Sequence, residues 1–176
     1  MAYRGEDLER AVETLLQAQI GAALVAAAAR WAAIDPVTLD EPQTWHRGYQ
    51  DLILEFPSTS YPYVVIQAPL RRPVEGKGGL GEQPVKHDLA ISIFVLGDTP
   101  AEANTVAHRY AEAVVAVLQA NQVVSGFTQQ NYEPKAEIVA GNITHQKAGT
   151  SGDMYNEDDI DYMRYVHITQ TMEYLD

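Results

Sequence analysis

The run Val85 to Leu96 (VKHDLAISIFVL) constrains this chain more than any other stretch. In an extended strand successive side chains point to opposite sides. Leu89, Ile91, Ile93 and Val95 then share one face, while Ala90, Ser92, Phe94 and Leu96 share the other. Both faces are apolar, which places the strand inside a sheet rather than at its edge.

Two amphipathic helices are available to cover such a sheet. From about Asp7 to Ala33, Leu8, Val12, Leu15, Leu16, Ile20, Leu24, Ala27, Ala28 and Trp31 recur at three- and four-residue steps, the period of a helix face. Glu6, Asp7 and Glu9 suit the positive end of its dipole, and Asp35-Pro36 supplies the stop. Small residues from Gly21 to Ala29 allow another backbone to approach closely. The second helix opens with Thr99-Pro100-Ala101-Glu102, a capping box with proline at the first helical position. Its stripe is Ala103, Val106, Ala107, Tyr110, Val114, Val117 and Leu118, ending near Asn121.

Further strands are expected at Leu52 to Phe56, Tyr63 to Gln67, Lys135 to Gln146 and Asp161 to Tyr174. Asp35 to Tyr49 reads as a polar connection containing proline. The order of elements gives an α+β fold, with a mainly antiparallel sheet of about four main strands covered on one face by two helices. At 176 residues the chain makes a single domain.

Two segments are long for loops of a compact domain, about 69–84 and 147–160. The first is basic, with Arg71, Arg72, Lys77 and Lys86 against Glu75 and Glu82. The second is acidic, with Asp153, Glu157, Asp158 and Asp159. A basic and an acidic arm on one subunit suit head-to-tail contact between copies, since a heterologous interface joins two different patches. Two independent mobile loops are the alternative.

Several chemistries are excluded or left unsupported. There is no cysteine, which removes disulfides, thiolate metal sites and thiol nucleophiles. A net charge of −12 argues against general nucleic-acid binding and against an anionic membrane surface as partner. Gly76 to Gly81 formally matches GxGxxG, but a strand follows where a phosphate-binding turn needs a helix. His46, His87, His108, His145 and His167 show no metal-binding spacing, and the acidic cluster lacks a calcium-loop pattern. A cross-strand pair of His145 with His167, or His87 beside Asp88, is the nearest approach to an acid–base site. No GxSxG elbow occurs, and no catalytic residue, metal or cofactor is assigned. Asn142-Ile143-Thr144 is a glycosylation sequon only in form. The acidic N-terminus carries no secretory signal, and no run of about 18 apolar residues suggests a membrane span. The expected site of synthesis is the cytoplasm.

The layout resembles the tail terminator (tail-completion, head-to-tail joining) proteins of long-tailed bacteriophages. The resemblance lies in the opening helix Leu8 to Trp31, the strand Tyr61-Pro62-Tyr63-Val64-Val65-Ile66, the long loop, and His87 to Val95. It continues through Gly97-Asp98-Thr99-Pro100, a helix carrying Tyr110-Ala111-Glu112-Ala113-Val114, and a last strand with Arg164-Tyr165-Val166-His167-Ile168. It covers most of the chain in order and pattern rather than in one motif. The long alanine-rich helix and the insertion around Asp153 to Asp161 depart from the shorter members. They leave open a neighbouring neck or head-completion ring, or a non-viral α+β ligand- or protein-binding module.

The resemblance implies a structural virion protein without enzymatic activity. It implies a ring, a homohexamer in the family, that closes the tail tube and joins it to the head connector. Its partners would be further copies of itself, the tail tube protein and the head-connector or adaptor protein, with DNA passing through without specific binding. Arg71, Arg72 and Lys77 on one arm, and Asp153, Glu157, Asp158 and Asp159 on the other, are the expected contacts between subunits or rings.

Overall fold

The computed structural model describes residues 5–48, 61–73, 85–130, 134–139, 144–146 and 160–174. Its elements run α1 (Gly5–Trp31), β1 (Thr44–Arg47), β2 (Tyr63–Pro73), β3 (Val85–Gly97), α2 (Pro100–Ala120), β4 (Val123–Val124), β5 (Phe127–Gln129), β6 (Lys135–Val139), β7 (Thr144–Gln146) and β8 (Ile160–Tyr174). The strands form one sheet in the order β1-β2-β3-β8-β5-β4, with β6 and β7 also pairing with β8. All pairings are antiparallel except β1 with β2. The fold is α+β, as expected, with more strand segments than the four main ones read from sequence.

β3 is central. It pairs along its whole length with β8, from Val85 opposite Tyr174 to Gly97 opposite Tyr162, and with β2 on its other side. Leu89, Ile91, Ile93 and Val95 join Val64, Ile66, Val166, Ile168 and Met172 in one buried cluster beneath the helices. From α1 that cluster receives Leu8, Val12, Leu16, Ile20, Leu24 and Ala27; from α2 it receives Val106, Tyr110, Val114, Val117 and Leu118. At about 1.5–3 kcal/mol for each large aliphatic or aromatic side chain removed from water, this layer dominates stability. The far face of the sheet has a smaller core of Tyr61, Tyr63, Val65, Phe94 and Met163. There the rings of Tyr63 and Phe94 stack at 4.6 Å, and those of Phe94 and Tyr165 at 5.4 Å, along one cross-strand row.

At 27 residues, α1 has the length and composition to cross a membrane, contrary to the sequence reading. The reason is its alanines, which count as apolar although many are exposed. In this fold the helix lays its large aliphatic residues on the sheet and runs antiparallel to α2. Asn121 amide to Gln19 (2.9 Å) ties one end of that pair, and the Trp31 indole to Glu112 (3.0 Å) ties the other. Thr99 caps α2 as expected, its hydroxyl accepting from the Glu102 N–H at 3.1 Å. The Glu102 carboxylate, however, takes the Asp98 N–H (2.9 Å) rather than that of Thr99.

Four further expectations are revised. The segment 69–84 begins as strand, since β2 continues to Pro73, and its remainder, 74–84, lies outside the described residues. Lys135 to Gln146 forms two short strands rather than one. The polar connection 35–49 contains β1, held by an Arg47–Glu13 ion pair at 2.9 Å. The hairpin β4–β5 was not expected at all. Its turn places Ser125 and Gly126 both at positive φ (49° and 87°), the backbone of a type I′ turn. The Leu52 to Phe56 strand lies outside the described residues.

β2 is irregular where α1 crosses it. Its register with β3 shifts between Gln67 and Leu70, which takes the Ala68 N–H out of the ladder, and Pro69 has none to offer. The Glu9 carboxylate on α1 accepts the Ala68 N–H at 2.7 Å. Burial raises the Glu9 pKa, opposed by that hydrogen bond and by Arg47. A raised folded-state value means stability is fully present below the unfolded value and lost as pH rises through the folded one. Glu9→Gln keeps an acceptor without the charge. Its stability at pH 7 should lie within about 1 kcal/mol of wild type, with wild type gaining on it as pH falls towards 4. Glu9→Ala should lose about 1–3 kcal/mol at either pH. Chemical denaturation of the three proteins at pH 4 and pH 7 measures both effects.

Candidate functional site

Two of the expected contact residues lie within the described sheet. Arg71 and Arg72 lie on β2, at register positions opposite His87 and Lys86 of β3. Lys77, Asp153, Glu157, Asp158 and Asp159 lie outside the described residues. The strand ends still fix where each arm is rooted. The basic arm leaves β2 at Pro73 and enters β3 at Val85, beside Tyr174 at the end of β8. The acidic segment enters β8 at Ile160, two residues before Tyr162, which sits opposite Gly97 at the other end of β3. From Val85 to Gly97 the strand spans about 40 Å at about 3.3 Å per residue. The two roots are therefore separated by the length of the sheet.

The end that roots the acidic segment also holds an acidic cleft, although Arg164 stands nearby, opposite Val95 and bonded to Asn104. A cleft of about 380 Å³ there is lined by Asp40, Asp98, Glu102 and Asp161 among uncharged residues, with no lysine, arginine or histidine among its described lining. Gly97 at its floor is tightly packed, since a Cβ there would stand 2.5 Å from the Ala103 N. Tyr61 and Tyr110 also line it. The Tyr110 hydroxyl donates to the Asp40 carbonyl, and that of Tyr61 to the Met163 sulfur at 3.4 Å. A second hollow, between the first half of α1 and the β4–β5 hairpin, has an apolar floor of Leu15, Val124 and Phe127.

The acid–base arrangement considered from sequence does not assemble. His87 points to the helix layer, 1% exposed and edge-on to Phe127 at 5.7 Å. Asp88, its chain neighbour, belongs to the opposite face. His145 stands at the register position opposite Asp161, and His167 opposite Ser92 and Glu137. The two histidines are thus about 20 Å apart along β8. The Ser92 hydroxyl does reach His167 Nδ1 at 3.1 Å on the outer face of the sheet. Among the described residues no three of His, Asp or Glu gather as metal ligands would.

Two interactions escaped the sequence reading. Gln129 of β5 donates to the Leu118 (2.6 Å) and Asn121 (3.1 Å) carbonyls, capping the C-terminal end of α2. The Ser125-Gly126 dipeptide was the available signal for the hairpin that carries it. Arg109 sits in the apolar stripe of α2, 9% exposed, with its guanidinium 4.7 Å from the Trp31 ring. The sequence reading left position 109 out of the apolar stripe, and nothing in the sequence names its partner.

No family model matches the chain, and no curated protein matches it. Among solved structures, a chain in the virion of a native gene transfer agent particle is similar over 94% of this chain and 98% of that chain. The identity is 17% and the TM-score 0.38. At so low a score the likeness carries no argument.

Burial pushes the Tyr61 hydroxyl up to about 12 and raises those of Tyr63 and Tyr110 further, with Asp40 adding to the effect at Tyr110. The neutral phenols then stabilise the fold below the ordinary tyrosine value of about 10, and that contribution is lost as pH rises through the folded values. In a spectrophotometric titration these three tyrosines should stay silent through pH 11 and ionise with unfolding. Smooth ionisation of all ten tyrosines near pH 10, with the fold intact, would show the cleft and far-face core to be open.

Proposed function

We propose that this protein is a virion structural component, a ring-forming connector of the tail-terminator kind that closes a tail tube and joins it to the head connector. The observation that carries the reading is the separation of opposite charges along the sheet. A basic arm is rooted at one end and an acidic segment with an acidic cleft at the other, about 40 Å apart. A rigid sheet of that length keeps the two roots apart within one chain. Placed head to tail, the basic end of one copy meets the acidic end of the next, and repetition of one such contact closes a ring. Arg71, Arg72 and Lys77 would then face Asp153, Glu157, Asp158 and Asp159 of the adjacent copy.

The same charge balance suits a channel that DNA crosses without being gripped. With a net charge of −12 per chain, the walls repel phosphate rather than replacing its counterions. The order of helix, strands and capped second helix agrees with the family resemblance. Tail tube protein and head-connector protein are the proposed neighbours, and the virion neck the proposed location, reached by assembly in the host cytoplasm. A stable contact between subunits buries on the order of 1,600 Å².

Native mass spectrometry at several concentrations and salt levels, with imaging of any large species, tests the reading. The expected product is a closed ring, about 116 kDa for six copies of a 19.4 kDa chain. The double reversal Arg71→Glu/Arg72→Glu should weaken assembly about tenfold or more. A second chain carrying Asp158→Lys/Asp159→Lys should restore it in mixtures. A chain that stays monomeric or dimeric even with tail tube protein present sinks the ring. Assembly indifferent to both reversals sinks the proposed contacts.

A further inference from the structure

We propose that the end of the helix layer holds a carboxylate-binding site centred on Arg109. A guanidinium carries five N–H donors and, when buried, calls for acceptors and a counter-charge. Arg109 is 9% exposed and its Nε is buried without a hydrogen-bond partner. None of the ion pairs among the described residues includes it.

The groups around it are already committed. Glu112, one turn along α2, binds Arg30 at 2.5 Å and accepts the Trp31 indole N–H at 3.0 Å. Asp35 accepts from Thr105, one turn back, at 2.9 Å. The Trp31 carbonyl at the end of α1 takes the N–H groups of Ile34 and Asp35, both at 2.9 Å. What remains for Arg109 is the face of the Trp31 ring, 4.7 Å from its Cζ. A cation–π contact offsets part of the cost of burial and leaves the buried Nε donor unused, while the terminal nitrogens are not buried in the same way.

The guanidinium fork matches a carboxylate in shape, and the Trp31 ring lies against it. The Trp31 ring itself supplies apolar surface at the site, and Ile34, three residues further along the chain, is 77% exposed. The ligand chemistry is therefore a carboxylate carried on an apolar stem. Its source is either an Asp or Glu side chain of a second copy, which this chain supplies in excess, or a free carboxylic acid. The site does not depend on the proposed ring assembly, because Trp31 emission reports on it whether or not copies associate.

Trp31 and Trp45 are the two tryptophans, so Trp45→Phe leaves Trp31 as the sole reporter. The full-length W45F protein is titrated with glutarate and, at matched ionic strength, with chloride. Sedimentation of wild type and Arg109→Gln is followed in parallel. A saturable, glutarate-specific change in Trp31 emission is expected, with affinity at least about tenfold weaker after Arg109→Gln. Arg109→Lys, which keeps the charge but not the fork, should retain the near-UV circular dichroism of the fold and lose most of the response. If the carboxylate comes from a second copy, wild type associates with concentration, glutarate reverses this, and Arg109→Gln does not associate. If it is a free acid, wild type stays monomeric and still responds. Coincident glutarate and chloride curves, with sedimentation unchanged by Arg109→Gln, overturn the site.

Discussion

The structure depends on one strand being buried on both sides. β3 gives alternate residues to the helix layer and to the aromatic row of the far face, so its register with β8 decides both cores at once. A slip of one residue would send Leu89, Ile91, Ile93 and Val95 to the face that now holds Ser92 and Phe94. It would also break the row in which Tyr63, Phe94 and Tyr165 stack. β8 extends the constraint, since its second edge carries β5, β6 and β7 in turn. The remaining elements are placed by reference to this pair.

Polar groups then tie the helix layer to that pair at specific points. Glu9 accepts the Ala68 N–H at the register shift of β2. Gln129 reaches back from β5 to the last carbonyls of α2, and Glu112 joins the end of α1 to the middle of α2. Each of these is worth about 1 kcal/mol, small beside the apolar layer. Their effect is on geometry, because each fixes one end of an element whose length the apolar stripe leaves free.

Long periodic elements were legible in the sequence, and short ones were not. α1, α2, β3 and β8 each repeat an apolar pattern over 13 residues or more, enough for the period to show. β1 has four residues and β4 only two, too few for alternation to register; they exist because Glu13 pairs with Arg47 and because the Ser125-Gly126 turn folds Phe127 back into the core. The break between β6 and β7 is set by how each meets β8, a tertiary fact without local signature. Among the candidate residues, the sequence reading assigned the charges to two segments but had no means to place those segments on the sheet. Which end of the sheet each arm leaves from follows from strand pairing. The same pairing separates His145 from His167, a pair that looked compatible when only their strands were known.

The sheet is thereby also a spacer, which gives the charge distribution its meaning. Opposite charges a few ångströms apart would have neutralised each other within one chain. The roots of the two segments are about 40 Å apart, several times the Debye length of about 8 Å in physiological salt. In the proposed assembly each end would meet its complement on another copy. Whether such contacts close or run on as a filament depends on the rotation between neighbours. In the proposed assembly that rotation would follow from the twist of the sheet between the two ends. The register of β3 with β8, which decides the core, would then also bear on the angle between copies.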